Sequence, residues 1–287
     1  MRCPCLIPAL TLLLGITVSA SAARAASLPV AGPWTEARDA SPAFTPDGAT
    51  VLFTRGGGTA RRLYVAHRHG DGWSTPVPAP FSKRWMDFEP AMAPDGRYLV
   101  FVSNRPPRGE GKPLDGRWGG HDYPGRGGNL WRVDRRRGGW STPRHLPDAV
   151  NAGSSTFSPA VAADGSVYFV RVDPTSGAFR LYRSRRADGR YQAAQALALG
   201  GGAMVSDYDP AVAPDQSFIV FSSDRPPASP SGGDLFIAFA TPAGWSVPVD
   251  LGVAGDEARL GADRGTLYYS APDHRIHRLS LARWLTR

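Results

Sequence analysis

The chain has 287 residues, 42% of them hydrophobic and 10% aromatic, enough for one large or two modest cores. Its formal net charge is +8, and nearly all the positive charge is arginine, since Lys83 and Lys112 are the only lysines. Cys3 and Cys5 are the only cysteines, and both fall at the extreme N-terminus. A disulfide framework, a cysteine metal site and a thiolate nucleophile are therefore excluded from the rest of the chain.

In chain order, residues 1–25 read as a secretory leader. Arg2 supplies a positive start, Leu6 to Val18 an apolar stretch, and Ala23-Arg24-Ala25 a small-residue cleavage pattern. The apolar run is too short to span a bilayer, so an exported chain beginning near Ala26 is expected, periplasmic or extracellular, without stable membrane insertion. Losing Arg2 and Arg24 lowers 33 basic residues to 31, against 25 acidic ones.

From residue 26 onward the sequence repeats. "SPAFTPDGATVLFTR", "EPAMAPDGRYLVFVSNR", "SPAVAADGSVYFVR" and "DPAVAPDQSFIVFSSDR" are centred on Pro42, Pro90, Pro159 and Pro210, and a weaker fifth copy, "EARLGADRGTLYYSAP", has Ala258 in the proline slot. The turn aspartate follows five residues later in every copy, at Asp47, Asp95, Asp164, Asp215 and Asp263. Each of the first four copies continues into a second half. There Tyr64, Trp131, Tyr182 and Phe236 precede Trp73, Trp140, Tyr191 and Trp245 by nine residues.

The pattern predicts a four-stranded antiparallel unit. An inner strand turns at Asp-Gly, which tolerates the positive φ of a primed hairpin, into a second strand rich in β-branched and aromatic residues. A third strand, a glycine turn and a proline-bearing outer strand complete it. Such sheets cannot bury both faces alone, whereas a ring of them stacks face on face. The expected fold is thus an all-β, five-bladed β-propeller over residues 26–287, with blades starting near 39, 87, 156, 207 and 255. The fifth copy ends after its third strand, and Ser27 to Gly32 matches the outer-strand pattern, so the N-terminal strand is expected to close the ring.

The block "PAxxPDGxxxxFxSxR…GGxDLF…GWSxPxxL" resembles the PD40, or WD40-like, propeller repeats of TolB-type envelope proteins, over roughly residues 38 to 281. The resemblance implies the repeat architecture and no particular activity. Only about a dozen residues lie between leader and first blade, so no counterpart of the separate N-terminal domain of TolB is expected.

Two sets of residues attract chemistry. Glu89, Asp209 and Glu257 occupy one repeat slot, and Asp39, Asp87 and Asp207 another. Some five-bladed propellers are glycosidases with carboxylates in the central funnel, where one acid protonates the leaving oxygen while another attacks or activates water. Recurrence at one slot, however, is what structure demands, and points to hairpin or rim roles. The asymmetric feature is the insertion from Pro106 to Gly128, which carries Arg117, Trp118, His121, Asp122 and Tyr123, residue types suited to anchoring a partner from a loop. The arginine clusters at residues 135–137 and 183–186 precede glycine turns and read as solvated hairpins. An exported chain rarely meets nucleic acid, so the solvated-hairpin reading is favoured over nucleic-acid binding, with attraction to anionic envelope surfaces left open.

No G-x-S-x-G elbow, P-loop or H-E-x-x-H occurs. The expectation is a monomeric, non-catalytic binding scaffold of the cell envelope, taking a protein or glycan, with no cofactor and no metal. The alternative is a glycoside-processing enzyme using Glu89, Asp209 and Glu257.

Overall fold

A computed structural model describes residues 27, 29–226 and 233–286; the expected leader lies outside the described residues. The chain forms five antiparallel blades around one axis, a five-bladed β-propeller; the described residues add one α-helical turn, Ala282–Leu285, and one 3-10 turn, Gly58–Ala60. The inner strands are Ala40–Phe44, Asp87–Met92, Thr156–Val161, Asp207–Val212 and Asp256–Leu260.

Blade 1 shows how the repeat builds a sheet. Ala40–Phe44 pairs with Thr50–Arg55, which pairs with Arg62–His69; the outer edge is two short pieces, Gly72–Trp73 and Val77–Pro78. The outer strand breaks because Pro76 has no N–H to give the ladder. The serine of the Gly-Trp-Ser-x-Pro motif fills the gap. Its Oγ accepts a third-strand N–H in three blades, from His67 to Ser74, Asp134 to Ser141 and Phe239 to Ser246, at 2.9–3.1 Å.

The inner hairpin differs from the two-residue primed turn expected. Gly48 N–H bonds to Thr45 C=O at 2.8 Å, and only Gly48, φ 65°, is left-handed. This is a type I turn with a bulge residue after it. The aspartate serves by its side chain: Asp47 Oδ1 accepts the Ala49 N–H at 2.9 Å, and the same bond recurs at Asp95, Asp164, Asp215 and Asp263. Gln216 and Arg264 stand in the left-handed position in blades 4 and 5, at φ 63° and 59°, where a side chain costs more than glycine.

The core lies between blades. Second-strand residues such as Leu52, Phe53, Val100, Phe101, Phe169, Ile219 and Phe221 are fully buried. In four blades an arginine ending the second strand lies over two rings. Arg55, for example, covers Phe53 and Tyr64 at 5.3 and 4.8 Å, and Arg105 covers Phe101 and Trp131 at 5.5 and 5.1 Å. In three of these blades the guanidinium also meets an inner-strand aspartate: Arg55–Asp39, Arg105–Asp87 and Arg225–Asp207, at 2.7–2.8 Å. Blade 3 has Thr156 in the acid's place, and Arg171 turns instead to the Val150 carbonyl.

The N-terminal strand closes the ring. Pro29 bridges His277, and Val30 N–H bonds to Ile276 C=O at 3.0 Å, giving blade 5 its outer pairing. Ser27 Oγ meets His277 Nδ1 at 2.9 Å and accepts from the Tyr269 hydroxyl. Trp34 then wedges into the seam between blades 5 and 1, with ring centroids 6.2–6.4 Å from Tyr268, Phe44 and Phe53.

The ring has two faces. One carries the turns between first and second strands and those between third and outer strands; bonds such as Arg135 N–H to Arg97 C=O tie the two kinds of turn together. The opposite face carries the longer connections, including the insertion, and opens into the funnel.

Candidate functional site

Each inner strand carries a β-bulge at the residue before the Pro-Ala step, or before Ala258-Arg259 in blade 5. That residue is left-handed in all five blades: Ser41, Glu89, Ser158, Asp209 and Glu257, with φ between 48° and 53°. A non-glycine residue in this region is strained, and the bulge re-aims its side chain. The geometry is five-fold but the residue types are not, and this slot forms the floor of the funnel.

On that floor the side chains bond across blades. Ser158 of blade 3 gives its N–H to Glu89 Oε2 at 2.6 Å, and its Oγ lies 3.0 Å from the same oxygen. The same Oγ lies 2.5 Å from Oδ1 of Asp209 in blade 4. Asp209 Oδ2 accepts the Glu257 N–H at 2.8 Å, and Ser270 Oγ donates to Glu257 Oε2 at 3.0 Å. A serine hydroxyl has one hydrogen, so both contacts are hydrogen bonds only when one carboxyl is protonated. Burial, then the neighbouring Asp209 and Glu257 carboxylates, push Glu89 up to about 7, against the pull of Arg259 and Arg61. Glu89 is thus shifted toward the protonated form that this arrangement needs. Burial and Asp209 raise Glu257 as well. Asp256 is pushed up to about 8 by crowding and by Glu257, but water reaches its exposed side chain and screens the effect.

Below the floor the axis is blocked. Pro42, Pro159 and Pro210 line a small void of about 80 Å³, and Arg259 of blade 5 reaches across to the Pro90 carbonyl of blade 2, Nε to O 3.4 Å. Arg259 is 5% exposed and its Nη2 has no hydrogen-bond partner. Its charge balances part of the acid ring above.

Above the floor the funnel widens into a cavity of about 930 Å³, whose lining includes Glu89, Ser158, Asp209, Arg61, Arg126 and Trp118. Phe88, Phe157, Phe179 and Tyr208 complete an aromatic wall. Trp118 comes from the insertion, a hairpin of Gly116–Trp118 against His121–Tyr123. It stacks on Tyr123 with centroids 3.9 Å apart and meets Phe157 edge-on at 5.7 Å. The hairpin folds over blade 3: Arg117 N–H bonds to Ser155 Oγ at 2.9 Å and Ser154 Oγ to the Asp115 carbonyl at 2.6 Å.

The structure thus distributes the sequence candidates unevenly. Trp118 faces the funnel and Tyr123 backs it. Arg117 and Asp122 face solvent, paired loosely at 3.6 Å, and His121 is exposed. Glu89 and Asp209 meet on Ser158 at the floor, whereas Glu257 gives its N–H to Asp209, accepts from Ser270 and is not among the cavity-lining residues. Asp39, Asp87 and Asp207 sit in the arginine pairs and stay out of the cavity lining. Sequence reasoning missed Ser158, Arg61 and Arg259. For Ser158 a signal exists, since the residue before Pro-Ala reads Ser, Glu, Ser, Asp, Glu around the ring. Among the described residues no group of three or more His, Cys, Asp or Glu is arranged to hold a metal ion.

No family model and no curated protein matches the chain. Solved structures do. A protein assigned as TolB from Agrobacterium tumefaciens is 15% identical over 80% of this chain and 69% of its own, with a TM-score of 0.54. TolB from Acinetobacter baumannii is 14% identical over 84% of this chain, at TM-score 0.49; the chain spans about half (53%) of its length. Xyloglucan PUL GH43B of Bacteroides ovatus is 14% identical over 81% of this chain and 48% of its own, at TM-score 0.48. At these identities the likeness is one of fold. Among the described residues no helix is long and apolar enough to cross a membrane.

Proposed function

We propose that this chain is an exported propeller that binds the end of a neutral or weakly charged glycan in its funnel. The observation that carries this reading is the placing of Trp118 and Phe157 on the wall above the Glu89–Ser158–Asp209 floor. A sugar ring offers an apolar face to an aromatic side chain and hydroxyl pairs to carboxylate oxygens. Arg38, Arg61 and Arg126 around the mouth offset the acids of the floor, which favours an uncharged polyol over a strongly charged ligand. The volume suits an oligosaccharide end. Isothermal titration against a panel of envelope oligosaccharides tests it. Binding lost in Trp118→Ala and in Asp209→Asn supports the reading, and no binding by the unaltered protein overturns it.

A second reading, glycoside cleavage, is favoured by one specific feature. Glu89 Oε2 and Asp209 Oδ1 meet on the one Ser158 hydroxyl, which brings together two carboxyls of the kind that share glycoside cleavage, one protonating the leaving oxygen while the other attacks the anomeric carbon. Glu89 would be the acid and Asp209 the nucleophile. Release of reducing sugar by the unaltered protein, abolished in Glu89→Gln, separates cleavage from binding.

A further inference from the structure

The face opposite the funnel carries its densest run of arginines in two adjacent blades, with Arg68, Arg264, Arg278 and Arg283 spread more thinly over blades 1 and 5. The turn between third and outer strands carries Arg135, Arg136 and Arg137 in blade 2 and Arg185, Arg186 and Arg190 in blade 3. All six are exposed, and none makes an ion pair among the described residues. Arg97, from the inner hairpin of blade 2, adds a further 85%-exposed side chain on the same face. The acids nearby are few. Asp47 of the neighbouring inner hairpin feels Arg135, Asp95 lies 3.8 Å from Arg97, Asp164 is engaged by Arg183, and Asp188 sits in the blade 3 turn itself.

The fold does not require these arginines. Blade 4 closes the same hairpin with Ala240 and Thr241 against Gly244 and Trp245, through an uncharged Thr-Pro-Ala-Gly turn. Blade 1 carries one arginine there, Arg68, beside His67, His69 and Asp71. A charge concentrated in two adjacent blades, at positions where uncharged residues build the same turn, is not explained by packing. Arginine is also the residue whose planar fork matches phosphate oxygens bidentately.

We propose that this arginine arc is a docking surface for an anionic lipid bilayer, seating blades 2 and 3 on phosphate headgroups with the funnel mouth turned away. Charge complementarity carries the inference: hairpin tips projecting from one side of the disc present their guanidinium groups together, and anionic leaflets attract such clusters additively. It goes beyond the proposed funnel function and does not depend on it.

The test is co-sedimentation of the purified chain with phosphatidylcholine vesicles, with and without phosphatidylglycerol. Binding should require phosphatidylglycerol and fall as salt shortens the screening length from about 10 Å at 0.1 M to about 3 Å at 1 M. Arg136→Gln with Arg185→Gln should weaken it about tenfold or more, with the thermal melt unchanged. Lys83→Gln with Lys112→Gln removes the same charge from the funnel side and should leave binding nearly intact. Equal loss in both double variants would mean that net charge alone is read, and would overturn the proposal. So would tighter binding to a DNA duplex than to anionic vesicles at the same salt, or no binding to anionic vesicles at all.

Discussion

Glu89 of blade 2 and Asp209 of blade 4 belong to blades that are not neighbours, yet both carboxyls reach one hydroxyl, that of Ser158 between them. The contact fixes a proton on the floor of the funnel. Glu89 has its carboxyl raised from its ordinary value of 4.5 to about 7 in the folded protein. The folded state therefore holds a proton that the unfolded chain releases at lower pH, and stability should decline as pH rises from about 4.5 to about 7.

Glu89→Gln removes that proton requirement. Its melting temperature should exceed that of the unaltered protein at pH 8, by the equivalent of 1–3 kcal/mol on the order-of-magnitude scale of such linkage, and converge with it near pH 4. A pH series of melts checks it, and a parallel offset at every pH would show that Glu89 does not titrate in this range.

The buried Arg105–Asp87 pair should tolerate loss of one partner poorly. Arg105→Ala leaves a carboxylate with no counter-charge at an inner strand and should cost about 3–5 kcal/mol. Arg171 occupies the matching place in blade 3 with no acid opposite and with Nε unpartnered. Burial already lowers its pKa. Arg171→Met should therefore be near neutral or stabilising. Urea unfolding of the two variants distinguishes a paired charge from a stacked one.

Deleting residues 27–32 should weaken the entire ring. The deletion removes the Val30 ladder bond, the Ser27 contacts to His277 and Tyr269, and the anchor of Trp34, whose Nε1–H bonds to the Val30 carbonyl at 2.8 Å. A loss of about 3 kcal/mol or more corresponds to a drop of roughly 6–12 °C in one cooperative transition. Calorimetry showing an unchanged midpoint would rule the seam out as a fastening.

Excising residues 113–126 should cost stability as well as ligand binding, because the hairpin is bonded to Ser154 and Ser155 of the blade 3 approach. Trp118→Ala is the milder change. It should lower glycan affinity by about 2 kcal/mol, the scale of an aromatic anchor, while the fold persists. Titration together with a melt of each variant separates the two effects.

The blades were legible because each strand repeats the same columns: Pro-Ala, Asp five later, an aromatic near six beyond that. Such regularity reflects contacts between adjacent strands and adjacent blades, which every copy must make. The floor of the funnel obeys no such period. Arg259 reaches from blade 5 to blade 2, and Ser158 joins acids from the blades on either side of its own, contacts set by the curvature of the closed ring. The insertion was visible as extra length, but its fold over blade 3 depends on Ser154 and Ser155, which no pattern marks. The turn aspartates were placed correctly for a different reason than expected, accepting an N–H instead of adopting positive φ themselves.

Arg259 and the prolines around it make the funnel a cul-de-sac. A long polymer cannot be drawn through the disc and out of the opposite face; whatever reaches Glu89 and Asp209 must arrive tip-first and leave by the way it came. A polysaccharide would accordingly be read one terminus at a time, its interior units stranded outside the mouth. The number of free ends, not the total mass of glycan, would set how many such proteins it can occupy.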